Sequence, residues 1–195
     1  MVAAHEIGVQ DRLTLLRKNV AILKPDDEVI AANPLGKIPV LVLEDGTSLY
    51  DSSVICEFLD GLRSKPTLFP TDSAARLVSL RQQATGNGLM DLMVIGRAER
   101  LRRDDSRSDA HVAAYYRKMI TTLDRLELNA NSLTDAPFSI GPLTIGCALS
   151  YADFRSADLG FAEEGWRSAR PQLAKWHKIF HRRASVKATE HSDVY

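Results

Sequence analysis

Cysteine is scarce: the 195 residues contain two, Cys56 and Cys147, and no C-x-x-C pair. Dithiol–disulfide exchange of the thioredoxin kind, which needs two thiols within one helical turn, therefore has no chemistry here. Each cysteine sits in an apolar stretch of helical period and reads as a reduced packing residue, which points to the cytoplasm. Long apolar runs are also missing. None approaches the roughly 18 residues of a membrane span, and the start lacks the basic-then-apolar pattern of a signal peptide, so no membrane partner is expected. Net charge is zero, with 25 basic and 25 acidic residues, which removes the bulk electrostatic reason to bind nucleic acid. The five histidines show no ligand spacing with the cysteines. His177 and His181 stand one turn apart, but Lys178, Arg182 and Arg183 flank them, so they read as a solvated face and no metal site is expected.

What the chain does have is concentrated at 33–59. The segment NPLGKIPVLVL at 33–43 ends in a short apolar, β-branched run; Asp45-Gly46 is a strong turn signal, and residues 48–50 can pair back as a second strand. Pro39 stands just before the first strand, where it cannot donate a ladder hydrogen bond and where an X-Pro bond turns cis at low cost. A cis bond there would turn the N–H and C=O of Val40 sideways, free to pair with the backbone of a bound peptide. After the hairpin, Asp51-Ser52-Ser53 precedes Val54, Ile55, Phe58, Leu59 and Leu62, whose spacing suits one face of a helix. Ser52 or Ser53 can cap it. The first-turn N–H groups and the positive end of the helix dipole suit a carboxylate, and Asp51 beside them suits a neighbouring ammonium. The plainer reading is that Asp51 and Ser52 only cap the helix.

These two segments resemble the glutathione transferase family, whose N-terminal thioredoxin-like domain carries N-P-x-G-x-[IV]-P-x-L followed by [ED]-S-x-x-I. The resemblance implies that Val40, with Pro39 cis before it, would hold the cysteinyl backbone of glutathione, and that Asp51 and Ser52 would hold its γ-glutamyl end. Lys37 lies in the same segment and reads either as a contact to the glycyl carboxylate or as a solvated lysine.

A boundary is expected at 64–72, where two prolines interrupt the helical pattern and Asp72 or Ser73 can cap a new helix. This gives an N-terminal domain over 1–63, a linker over 64–72 and an all-helical domain over 73–195. Helices are predicted at 74–103, 109–129, 143–158 and 171–183, with Pro171 in the first turn of the last. Gly86-Asn87-Gly88 marks either a bend in the first long helix or a close approach to the N-terminal domain. The order and size of these helices match the family's C-terminal domain, and GLMD at 88–91, CALSYADFR at 147–155 and the Trp166–Trp176 stretch resemble a bacterial branch of it. Met90, Asp91 and Arg97 then become candidates for the cleft wall, against the reading of a core methionine and a charged helix face. Tyr151, Phe154 and Trp176 read as core aromatics.

Two departures from the family pattern stand out. LTIGCAL at 143–149 lacks the acidic residue expected three positions after Thr144, where Cys147 stands, so a turn of helix is expected to be missing; Ser139 is the alternative cap. At the start, residues 2–8 resemble the end of the family's first helix and 12–16 its second strand. The first strand and the loop after it, which supplies the Ser, Cys or Tyr that lowers the glutathione thiol pKa, have no counterpart, so no catalytic residue is assigned. Met1 reads either as the native start or as an internal methionine of a longer protein. The fold class expected is an α+β thioredoxin-like domain, incomplete for want of its first strand, followed by an all-α helical bundle. The function expected is a glutathione transferase-like protein that binds glutathione as co-substrate and conjugates its thiolate to small hydrophobic electrophiles. The alternative is a catalytically inactive relative that binds or regulates. The resemblance further implies a homodimer.

Overall fold

A computed structural model describes residues 1–20, 24–63, 68–135, 137–161 and 165–191. The chain opens with α1, Val2–Ile7, ended by Gly8 in the left-handed region at φ 78°, and a 3-10 turn at Gln10–Arg12. Helix α2, Asp27–Ala32, is capped by Asp26, whose carboxylate accepts from the N–H groups of Glu28 and Val29, each at 3.0 Å. The hairpin follows, with β1 at Leu41–Val42 and β2 at Ser48–Leu49, antiparallel in the register Leu41 to Leu49 and Val42 to Ser48. Its turn is closed by the Asp45 carboxylate accepting from Thr47 N–H at 2.8 Å, while Gly46 takes the φ of 85° that a side chain would resist. Helix α3, Ser52–Gly61, packs on α1 to complete the N-terminal part.

The segment over 12–16, expected as a strand, is not one. Arg12 belongs to the 3-10 turn, and Leu15 and Leu16 are exposed at 56% and 76%. With β1 paired only to β2, no neighbouring ladder is available to it among the described residues.

Beyond the expected boundary, of which 64–67 lie outside the described residues, Asp60 pins the chain. Its buried carboxylate accepts from Leu68 N–H at 3.1 Å and Phe69 N–H at 2.9 Å, fixing the entry to the helical part. The helices are α4 (Ser73–Arg100), α5 (Asp109–Leu128), α6 (Ala130–Asp135), α7 (Ile140–Phe154), α8 (Ser156–Leu159), α9 (Pro171–Phe180) and α10 (Ala184–Lys187). Asp72 caps α4 through Ala75 N–H at 2.9 Å, and Pro171 occupies the first turn of α9, as their side chains demand.

Helix α7 is the central element. Almost every residue from Ile140 to Leu149 is buried, and the helix contributes to two apolar clusters. One joins Leu89, Met93, Leu123, Leu149, Leu173 and Phe180 within the bundle. The other joins Ile140 and Leu143 to Ala4, Ile7, Ile55 and Leu59 of the N-terminal part. Helix α7 begins three residues earlier than predicted, with Ser139, the alternative cap, at its cap position. Gly141 and Pro142 fit the first turn because a proline there forfeits no helical hydrogen bond. The missing local cap is replaced from another helix. Ser79 of α4 donates to Ser139 Oγ at 2.9 Å and accepts from Gly141 N–H at 3.2 Å, satisfying one of the orphan donors.

Candidate functional site

The 33–59 region is built outward from a buried asparagine. Asn33 ends α2 and turns its side chain under the following loop, donating from Nδ2 to the carbonyl of Lys37 at 2.9 Å and accepting Leu35 N–H at 3.1 Å. This Asx turn, with Gly36 at φ 61°, sets the path of the chain into Pro39. The Ile38–Pro39 peptide is cis, as the resemblance implied.

The register of the hairpin decides which way Val40 faces. Leu43 N–H donates to Thr47 O at 2.9 Å, so Leu43–Thr47 is a hydrogen-bonded pair, Val42–Ser48 is not, and Leu41–Leu49 is. Continuing the alternation directs the N–H and C=O of Val40 away from β2. The same continuation sets Val40 across from Tyr50 and Pro39 across from Asp51. Both sequence-predicted segments therefore meet at the open end of one hairpin.

There Asp51, not Ser52 or Ser53, is the cap of α3: its carboxylate accepts Ser53 N–H at 2.9 Å. Ser52 opens the helix and is half-buried, while Asp51 and Lys37 are exposed. Ser53 serves the wider fold, accepting at Oγ from Asn87 Nδ2 of α4 at 3.0 Å and so tying the start of α3 to the long helix behind it. The Gly-Asn-Gly segment thus marks two close approaches, with Asn87 against α3 and Gly86 against α7. The segment was expected to mark either a bend or a close approach to the N-terminal domain, and Asn87 makes that approach.

The other candidates do not join this site. Arg97 is paired with Asp158 of α8 at 2.7 Å, Met90 packs on the bundle core, and Asp91 is exposed. Trp176 is buried in the bundle, with Nε1 donating to Leu133 O at 3.1 Å, and Tyr151 and Phe154 are half-buried on α7. Burial raises the Cys56 thiol and pushes Cys147 up to about 12, which disfavours the thiolate at both. No helix among the described residues is long and apolar enough to cross a membrane.

The sequence profile described as Glutathione S-transferase, N-terminal domain, matches residues 1–62. The chain is 30% identical over 167 residues to the uncharacterized GST-like protein YibF of Escherichia coli K12, spanning 85% of this chain and 80% of that one. The chain belongs to the glutathione S-transferase family. Its structure superposes on a glutathione transferase family member from Pseudomonas fluorescens Pf-5, crystallised with glutathione, at a TM-score of 0.89 and 35% identity, covering 98% of this chain and 91% of that one. A glutathione S-transferase from Methylobacillus flagellatus KT, also crystallised with glutathione, gives a TM-score of 0.83 at 31% identity, over 98% and 92% of the two chains. The small hairpin domain and the helical domain are thus those of a glutathione S-transferase: thioredoxin-like first, all-helical second.

Proposed function

We propose that this glutathione S-transferase binds glutathione through the backbone of Val40 and at the start of α3, and conjugates its thiolate to small hydrophobic electrophiles. The observation that carries this reading is the common placement of Val40 and Asp51-Ser52 at the open end of one hairpin. Val40 presents one donor and one acceptor, which suits the cysteinyl unit of the tripeptide in antiparallel pairing. The first-turn N–H groups of α3 other than that of Ser53, which the Asp51 carboxylate takes, suit the γ-glutamyl carboxylate, and Asp51 the ammonium beside it. Lys37, exposed at the loop that leads into Pro39, is the cation nearest in sequence to Val40 and suits the glycyl carboxylate. The neighbours crystallised with glutathione support the ligand.

The domain division goes with it: 1–63 for glutathione, 64–72 as linker, 73–195 for the bundle that walls the cleft. A homodimer in the cytoplasm suits the exposed apolar residues Val54 of α3 and Leu77 and Val78 of α4, which would be covered when the hairpin face of one subunit meets the long helices of its partner.

The experiment is a glutathione-dependent conjugation assay with an activated aryl halide. Turnover that saturates with glutathione and falls at least tenfold in Asp51→Ala/Ser52→Ala supports the proposal. Saturable glutathione binding without turnover on a panel of aryl halides, enals and epoxides would instead establish the inactive, binding member of the family.

A further inference from the structure

His177 and His181, which the sequence presented as a solvated face, are turned inward. They lie one turn apart on α9 and so share a face, and that face packs against Ser150 and Asp153 of α7. His177 is wholly buried, and His181 is half-buried at the end of the helix. Ser150 Oγ lies 3.1 Å from His177 Nε2 and 3.2 Å from His181 Nε2, linking the two rings.

The tautomer of His177 follows from its neighbours. Arg167 Nη2 stands 2.8 Å from Nδ1, and a guanidinium only donates, so Nδ1 is the acceptor. The ring proton is therefore on Nε2, where the Gly146 carbonyl accepts it at 3.2 Å. This arrangement excludes a serine hydrolase reading, because the nitrogen beside Ser150 already carries the proton that it would have to take. The Asp153 carboxylate lies on the same side of the ring, with Oδ2 3.8 Å from Nδ1. One cation now fills the place between them: the Arg167 guanidinium, bound to both oxygens of Asp153. Its side chain is 40% exposed and lines a cavity of about 1040 Å³, which Ser150, Asp153 and His181 also face.

We infer that Asp153, His177 and His181 form a binding site for one divalent transition metal, and that Arg167 is its built-in competitor, leaving for the cavity when the metal enters. One ligand atom from each residue lies within 4.8 Å of the others. Metal–ligand bonds of about 2.0–2.2 Å require the set to close by roughly an ångström. His181, at a helix end beside the cavity, has the freedom to do so. Two imidazoles and one carboxylate suit zinc, nickel or cobalt and do not suit magnesium or calcium. The supporting shell is in place: Gly146 O holds the far nitrogen of His177, and Trp166 Nε1 donates to Asp153 at 2.9 Å. The cavity supplies the entry path and the open coordination position.

The test uses the full chain, titrated with Zn²⁺ by calorimetry and with Ni²⁺ or Cu²⁺ by quenching of tryptophan fluorescence, since the Trp166 ring lies 5.6 Å from that of His177. The expected result is one Zn²⁺ per chain, weakened at least tenfold in His181→Ala and in Asp153→Asn, and tightened about tenfold in Arg167→Gln, where the competing charge is gone. Arg167→Gln and His181→Ala alter partly exposed side chains, and circular dichroism verifies their folds. Equal affinity across wild type and the His181 and Asp153 variants, an Arg167→Gln affinity no tighter than wild type, or no binding in either wild type or Arg167→Gln overturns the inference.

Discussion

Replacing Gly86 by alanine and, separately, Gly88 by alanine makes the same chemical change two residues apart on α4, yet the structure predicts opposite outcomes. A β-carbon at Gly88 meets nothing within 4 Å, whereas one at Gly86 falls 2.8 Å from the Thr144 backbone carbon, 2.8 Å from its Cγ2 and 2.9 Å from the amide nitrogen of Ile145. Alanine is favoured over glycine in a helix interior by about 1 kcal/mol, a gain common to both positions. At Gly88 nothing opposes it. At Gly86 the added carbon must push α7 away, and two of the three contacts are backbone atoms that cannot rotate aside. Overpacking costs about 1–3 kcal/mol, and this site belongs near the top of that range, leaving a net destabilisation of about 1–2 kcal/mol. For a chain of this size 1 kcal/mol moves Tm by roughly 2–4 °C. Gly88→Ala should therefore melt a few degrees above wild type and Gly86→Ala several degrees below it, by circular dichroism or calorimetry. Equal shifts of the same sign would refute the close α4–α7 packing on which the position of Asn87, and through it the start of α3, depends.

Other outcomes follow from single contacts. Asp60→Ala leaves the buried N–H groups of Leu68 and Phe69 without their acceptor, and should cost about 2–6 kcal/mol in urea unfolding at about 1–3 kcal/mol per unsatisfied group. The Glu6 carboxylate, hydrogen-bonded to Arg183 at 2.7 and 2.8 Å and also to Ser185, has its pKa held below the usual carboxylate value. Its contribution is therefore present above about pH 4.5 and lost as pH falls through the depressed folded value. Wild type should lose more stability than Glu6→Gln across that acid window, and parallel profiles would contradict the pairing of α1 with α10. Cys56 and Cys147, both with raised pKa, should resist a disulfide reagent at pH 8 in the native protein and react fully once it is unfolded.

The legible parts of this chain were those whose causes are local. Asp72, Pro171 and Gly46 act within a few residues of themselves, and the elements they start or turn stand where those side chains require. The hairpin and the paired segments at 33–43 and 51–55 were legible for the same reason, and their register brought Val40 and Asp51 to one end. What escaped depends on partners distant along the chain. What satisfies the start of α7 could not be read: Ser139 stands at the cap position, but the acceptor comes from Ser79 on another helix, sixty positions from it. Nor could the burial of His177 and His181: Lys178, Arg182 and Arg183 beside them argue for solvent, and only the packing of α9 on Ser150 and Asp153 turns the histidines inward. The stretch over 12–16 resembles the family's second strand, but a strand needs a neighbour as well as a resemblance, and β1 is paired to β2 alone among the described residues.

The central claim is that Val40, Asp51 and Ser52 grip glutathione, and calorimetric titration of glutathione into wild type and Asp51→Ala/Ser52→Ala tests it most directly. The account predicts one saturable site per chain in wild type, weakened at least tenfold in the double variant at unchanged stoichiometry. Equal affinity in the two proteins, or no heat of binding in wild type, would contradict it.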